Sequence, residues 1–334
     1  FALKILNARH WFRNPKKRRF LRKNPNSSPM LTAYHQPVML AECLDALQIR
    51  PDGIYVDVTF GGGGHSRAIL DRLGPTGRLL AFDQDADAKQ NAKALDDKRL
   101  TFIEANFRHL KKYLRLYGIK PVDGILADLG VSSHQLDEGA RGFSTRFDGE
   151  LDMRMNQDAP FSAKNVVNEY DAAKLHRIFG MYGEVRNART LADGVVTARS
   201  NAAFDTAGQL KATVQKFAPR GKEFKYLAQV FQAIRIEVND ELKALEEFLT
   251  QVPEALAPGG RLVVMSYHSL EDRLVKNFIN KGKFEGDVEK DLFGNDQKPL
   301  RPSTRGQPIE ASADEIAQNN RARSAKLRVA EPNA

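Results

Sequence analysis

Gly53-Ile54-Tyr55-Val56-Asp57-Val58-Thr59-Phe60-Gly61-Gly62-Gly63-Gly64-His65-Ser66 is the stretch from which the fold can be read. Ile54 to Phe60 alternates apolar and β-branched residues as a strand does, and four glycines stop it abruptly. Ser66-Arg67-Ala68-Ile69-Leu70-Asp71-Arg72-Leu73 then has the pattern of a helix, closed by Gly74-Pro75. A strand, a glycine turn and a helix start leave unpaired backbone N–H groups beside a surface that a ligand's backbone can approach. A Cβ in that turn would obstruct both the bend and the ligand. Taken alone the motif is weak, because flexible loops are also rich in glycine.

The following strand strengthens it. Arg78-Leu79-Leu80-Ala81-Phe82-Asp83-Gln84-Asp85 is apolar and ends in acids. Asp83 follows Gly61 by roughly the 20 residues expected for a carboxylate that takes ribose hydroxyls. Asp85 is placed to cap the next helix, so Asp83 is the better ligand candidate. The two elements together imply a nucleoside-bearing cofactor lying across the carboxyl ends of a parallel sheet.

Outward from this unit, Pro37 to Leu47 reads as a leading helix and Asp85 to Leu95 as the helix after the second strand. A third strand from Leu100 to Phe107, a helix near Arg108 to Tyr117 and a fourth strand from Val122 to Gly130 follow, with Asp128 near the last strand's end. The alternation specifies an α/β fold with a doubly wound, Rossmann-like parallel sheet. From His134 to Lys222 the pattern changes to capped helical segments, among them Asp171 to Phe179 and a helix opened by Thr206-x-x-Gln209. An insertion of roughly 90 residues is too long for an ordinary α/β connection. The expected organisation is a discontinuous domain of residues 34–133 and 223–334, a helical insertion at 134–222, and a separate extension at 1–33. Phe231, Ile234, Val238, Leu242, Leu245 and Leu249 form one predicted helical stripe, which Leu256-Ala257-Pro258-Gly259-Gly260 turns into a strand from Arg261 to Tyr267. Lys281 to Pro308 reads as a mobile loop, and Arg321, Arg323, Lys326 and Arg328 as a basic cluster.

The net charge of +9 belongs to the extension. Residues 1–33 carry nine Lys and Arg and no acid, which leaves 42 bases against 42 acids in the body. Such a tail suits a nucleic-acid arm or a targeting segment, and its composition also fits a disordered or non-native extension ahead of Met30. Cys43 is the single cysteine, so no disulfide framework or thiolate metal site can form. The seven histidines have no paired ligand spacing, and no metal is expected. No apolar run approaches membrane-spanning length, which points to a soluble protein of a reducing, cytoplasmic compartment.

Position 66 is serine where a dinucleotide fingerprint would have its third glycine, which counts against a nicotinamide-dependent oxidoreductase. The runs Gly63-Gly64-His65-Ser66, Asp128-Leu129-Gly130-Val131-Ser132-Ser133, Arg141-Gly142-Phe143-Ser144 and Leu151-Asp152-Met153-Arg154-Met155 are more specific. So are Phe231-Gln232-Ala233-Ile234-Arg235-Ile236, Ser266-Tyr267-His268-Ser269-Leu270-Glu271-Asp272-Arg273 and Arg323-Ser324-Ala325-Lys326-Leu327-Arg328. Through them, and through His35-Gln36-Pro37-Val38, the chain from Tyr34 to about Ala330 resembles the bacterial RsmH (MraW) family.

That resemblance implies S-adenosylmethionine-dependent methylation of N4 of a cytidine in 16S rRNA within the small ribosomal subunit, with room for a homodimer. It places cofactor contacts on Gly63, Gly64, His65, Asp83, Phe107, Asp128 and Gln135. Phe107 is equally suited to core packing. Asp128 is the expected group at the amine, with Ser132 or His268 assisting. Arg141, Arg154, Arg235, Arg321, Arg323, Lys326 and Arg328 are the expected RNA contacts, and each also fits a solvated charge or an internal ion pair. Lys222-Glu223-Phe224-Lys225-Tyr226-Leu227-Ala228 departs from the family's pattern beside the expected substrate cleft. A non-catalytic RNA-binding assembly factor is the alternative reading.

Overall fold

The computed structural model describes residues 37–119, 121–304 and 306–333. The basic extension and the His35-Gln36 pair lie outside the described residues. The chain begins with α1 (Leu40–Leu47), which turns Cys43, Leu44 and Leu47 inward. It then alternates through β1 (Ile54–Asp57), α2 (Gly64–Arg72), β2 (Arg78–Asp83), α3 (Ala86–Leu95), β3 (Leu100–Glu104), α4 (Leu110–Leu116) and β4 (Val122–Asp128). A helical stretch follows: α5 (Ser133–Asp137), α6 (Ala163–Glu169), α7 (Ala172–Met181), α8 (Ala188–Asn201), α9 (Ala207–Val214) and α10 (Glu223–Asn239). The chain closes with α11 (Glu241–Ala255), β5 (Leu256–Ser266), α12 (Ser269–Lys281), β6 (Leu300–Pro302), β7 (Ile309–Glu310), α13 (Ala313–Gln318) and β8 (Lys326–Pro332).

The strands form one sheet in the order β3-β2-β1-β4-β5-β8-β6, with β7 on β8. β1 to β5 pair in parallel, and β8 runs antiparallel to β5 with Val329 opposite Val263. The winding reverses between β1 and β4. A crevice outside the carboxyl ends of those two strands is therefore the expected ligand site in an open α/β sheet. Beyond β1, Val58 N–H donates to Leu126 O and Phe60 N–H to Phe82 O, both at 2.9 Å, so the loop entering the glycines is fastened on both sides.

Two cores divide the apolar residues. Phe82, Ile125, Leu245, Phe248 and Leu249 lie in the cluster under the sheet. Leu151, Phe179, Leu191, Leu210, Val230, Phe231 and Ile234 form the other, among the helices. Truncating a ring as fully enclosed as Phe248 to alanine costs about 3–5 kcal/mol.

The single stripe expected from Phe231 to Leu249 is two helices. Asp240 adopts a left-handed conformation (φ 50°) between α10 and α11. Phe231 and Ile234 then feed the helical core, whereas Leu245 and Leu249 feed the sheet. The Lys281 to Pro308 segment is not all loop, since β6 pairs with β8. The basic run at Lys326 to Arg328 lies in a strand, with Leu327, Arg328 and Val329 all buried.

Candidate active site

The glycine loop opens α2. Gly63 has φ +76°, and a Cβ there would come within 2.8 Å of the Phe60 ring. A Cβ on Gly64 would strike the Pro37 ring. The protein's own packing thus requires glycine at these positions, and the first N–H groups of α2 have no intrahelical partner. Asp57, buried at the end of β1, accepts from Ser66 Oγ (2.7 Å) and Thr59 N–H (3.1 Å) and holds the loop down. Burial pushes its carboxyl above the usual range.

Asp83 ends β2 with one carboxylate oxygen on Gly61 N–H (2.8 Å) and the other on Asp85 N–H (2.9 Å). Desolvation outweighs these two donors and pushes its pKa up to about 6. Each oxygen keeps a second lone pair, so a pair of ribose hydroxyls can still be bound.

Asp128 ends β4 across the switch point. Its backbone N–H donates to Thr59 Oγ1 at 2.7 Å, and its Oδ1 accepts the Tyr267 hydroxyl at 2.8 Å. Burial pushes the carboxyl up to about 6, against the opposing pull of His65 and Tyr267 and with help from the charges of Asp57 and Glu271. Burial, then Asp128 itself, drives the Tyr267 hydroxyl far above its usual range, so it stays a donor. His65 is buried, with Nε2 3.2 Å from Val38 O and Nδ1 3.7 Å from Asp128 Oδ2. The carbonyl fixes the proton on Nε2, and Nδ1 faces the carboxylate.

The other expected residues fall into separate arrangements. Ser132 and Gln135 form a capping box on α5, with Gln135 N–H on Ser132 Oγ (3.2 Å) and Ser132 N–H on Gln135 Oε1 (3.0 Å). Gln135 Nε2 donates to Asp85 Oδ2, which also takes Arg141 Nη1, both at 2.7 Å. Asp85 caps α3 as expected and is also the counter-ion of a buried arginine. Phe107 is half-buried and packs edge-to-face on Phe248, with centroids 5.4 Å apart. His268 is not turned toward Asp128. It caps α12, and its Nε2 lies 3.1 Å from Glu271 Oε1. Burial pushes the Glu271 carboxyl up, but His268, Arg235 and Tyr267 N–H outweigh this and leave it below its usual range.

Three of the arginines expected at RNA are engaged inside the protein. Arg141 bonds Asp85 and the carbonyl of Arg154, Arg235 holds Glu241 with two hydrogen bonds (2.8 and 2.9 Å), and Arg328 holds Asp272 (2.6 and 3.1 Å). Arg154 grips Asp152 and Arg321 reaches Asp137, each a partly exposed pair. Arg323 stays exposed, and Lys326 is half-exposed 3.9 Å from Asp272. Two histidine–carboxylate groups, Asp87–His134–Glu138 and Glu241–His268–Glu271, also assemble. An arginine contacts one carboxylate in each, Arg141 on Asp87 and Arg235 on Glu241. Sequence reasoning passed over Thr59 and Tyr267, whose contacts to Asp128 span 69 and 139 residues.

The model of the MraW methylase family matches residues 32–333. The chain belongs to this family. It is 57% identical over 298 residues to the ribosomal RNA small subunit methyltransferase H of Cytophaga hutchinsonii, covering 89% of this chain and 99% of that protein. The protein of the same name from Flavobacterium johnsoniae is 58% identical over 298 residues, covering 89% of this chain and 97% of its own length. A putative rRNA-methylase structure from Clostridium thermocellum aligns over 89% of this chain and 98% of its own, at 15% identity and a TM-score of 0.42. As a member of this family the chain is an S-adenosylmethionine-dependent methyltransferase with a Rossmann-like fold. The donor set suits that cofactor: a glycine-lined helix start for the amino-acid part and Asp83 for the ribose. Among the described residues no helix is long and apolar enough to cross a membrane.

Proposed function

We propose that this protein methylates N4 of a cytidine in the decoding region of 16S rRNA, on the small ribosomal subunit. The observation that carries the reading is the likeness, over almost the whole chain, to relatives named as small-subunit rRNA methyltransferases. Bound S-adenosylmethionine supplies an electrophilic methyl group on a sulfonium. The cytosine amine is a weak nucleophile because its lone pair is delocalised into the ring. Asp128 meets that difficulty. With Oδ1 held by Tyr267, the other oxygen is left to accept an N4–H and draw the nitrogen toward a pyramidal, reactive geometry. As the carbon–nitrogen bond forms and the carbon–sulfur bond breaks, N4 loses a proton. A carboxylate with a pKa of about 6 is suited to receive it near neutral pH. Fixed geometry at Asp128, Asp83 and the glycine loop supplies the alignment that an in-line displacement needs. The target base must be splayed out of its stack to reach the crevice.

The test is methylation of small subunits that lack the modification, with labelled S-adenosylmethionine, followed by digestion to nucleosides and mass spectrometry. Label in N4-methylcytidine is expected. Label in another nucleoside would overturn the choice of atom, and no label with cofactor still bound would favour an assembly factor.

A further inference from the structure

At the start of α10 the surface is basic and carries an aromatic ring. Lys216, Arg220, Lys222 and Lys225 are exposed in one short stretch, and the Phe224 ring between them is 90% exposed. Arg186 is brought alongside from another part of the chain. Its neighbour Asn187 donates to Phe217 O at 3.0 Å and accepts the Tyr226 hydroxyl at 2.9 Å, tying three segments together. Among the described residues none of these five cations has a carboxylate within 4.0 Å. The one acid in the stretch, Glu223, is turned onto Gly221 N–H at 2.9 Å. Acids and bases balance outside residues 1–33, so this group is a local excess of positive charge and not a share of a basic body.

The position matters as much as the charge. From Phe224, α10 runs to Arg235, about 17 Å along the axis at 1.5 Å per residue. On the way Gln229 donates to Glu184 O, and the Glu184 carboxylate accepts from Ser269 and Arg273 at the head of α12. Arg235 in turn lies in the field of Glu271, whose carboxylate holds the backbone of Tyr267, the partner of Asp128. One helix therefore links the exposed patch to the side chains that hold Tyr267.

We propose that this face binds a single strand of RNA flanking the target, with phosphates on the cations and a base stacked on Phe224. Lysines alone would read as a solvated face. An exposed ring set among unpaired cations matches the two requirements of single-strand binding, stacking and backbone neutralisation. The inference rests on RNA being the substrate.

The experiment measures affinity for an unmodified small-subunit rRNA transcript across a salt series, with S-adenosylmethionine present, for the wild type, Phe224→Ala and the Lys222→Ala/Lys225→Ala double variant. These side chains are exposed, and cofactor affinity serves as the folding control. Phe224→Ala is expected to weaken RNA binding about 5- to 150-fold. The double variant is expected to lower the slope of log affinity against log salt by about 1.4. Unchanged affinity and slope would overturn the proposal. So would a defect confined to intact subunits, because it would assign the face to a protein partner. Normal salt-sensitive binding without N4-methylcytidine in the subunit assay would sink the proposed reaction and leave this surface standing.

Discussion

Asp83 and Asp85 stand two residues apart and the protein treats them oppositely, with Asp128 treated as Asp83 is. Asp85 is enclosed by Arg141 and Gln135, each at 2.7 Å, with the guanidinium further tied to backbone carbonyls. Among the described residues Asp83 has only two backbone N–H groups and Asp128 only a tyrosine hydroxyl at hydrogen-bonding distance. Both of these are pushed up to about 6. Asp85 is given a counter-charge, whereas Asp57, Asp83 and Asp128 rest on neutral donors and burial raises all three. Asp83 and Asp128 keep lone pairs available, as the proposed reaction asks of them, and their burial without a full counter-charge appears as a raised pKa.

The largest way to break the contrast is to neutralise the exposed-lone-pair member. Asp128→Asn should lower the single-turnover methylation rate about 10²- to 10⁴-fold, with cofactor affinity within a few-fold of wild type. A full rate would remove Asp128 from the chemistry. The converse change attacks the paired member. Arg141→Met leaves Asp85 buried without its counter-charge and should cost about 3–5 kcal/mol in denaturant unfolding. A cost below 1 kcal/mol would mean that solvent reaches Asp85 after all. Asp83→Ala removes charged acceptors for two hydroxyls and should weaken S-adenosylmethionine about 10- to 150-fold by calorimetry.

The smallest effect reads the charge on Asp128 directly. The folded-state pKa of Asp128 lies above its unfolded value, so ionisation at pH 7.5 works against folding and protonation below about 6 relieves it. In Asp128→Asn the amide oxygen can still accept from Tyr267 without carrying charge. The cofactor-free variant should therefore melt on the order of 2–4 °C above wild type at pH 7.5, and the gap should close toward pH 5. Wild-type turnover should fall over the same interval, as the acceptor form of Asp128 is lost. A gap that widens on acidification would contradict the raised pKa.

The sheet's first half was legible because local signals carried it. The glycine turn, the acids at strand ends and the apolar runs between them specify β1 to β4 without reference to distant residues. Asp83 and Asp128 could be singled out for the same reason. The rest depended on pairings far apart in sequence. Arg328 reads as a surface cation until Asp272 is found beside it, and the strand it occupies is hidden by its own charges. Arg235 and Glu241 are separated by the left-handed turn at Asp240, which no residue in the run announces. Tyr267 stood within a recognised motif, but its role arises only when β5 brings it against the end of β4. Neighbouring His268, chemically the more tempting residue, points back along its own helix.

The antiparallel strand β8 sits between β5 and β6, so residues 326–332 separate two strands made earlier. Among the described residues, β5 would emerge during synthesis with one edge unpaired and β6 with no strand neighbour until this later segment arrives to bond both. The end of β5 that pairs with β8 leads into Tyr267. Assembly of the Asp128 side of the crevice thereby waits on residues 326–332, and a ribosome stalled before residue 326 would hold a half-built sheet with an adhesive margin.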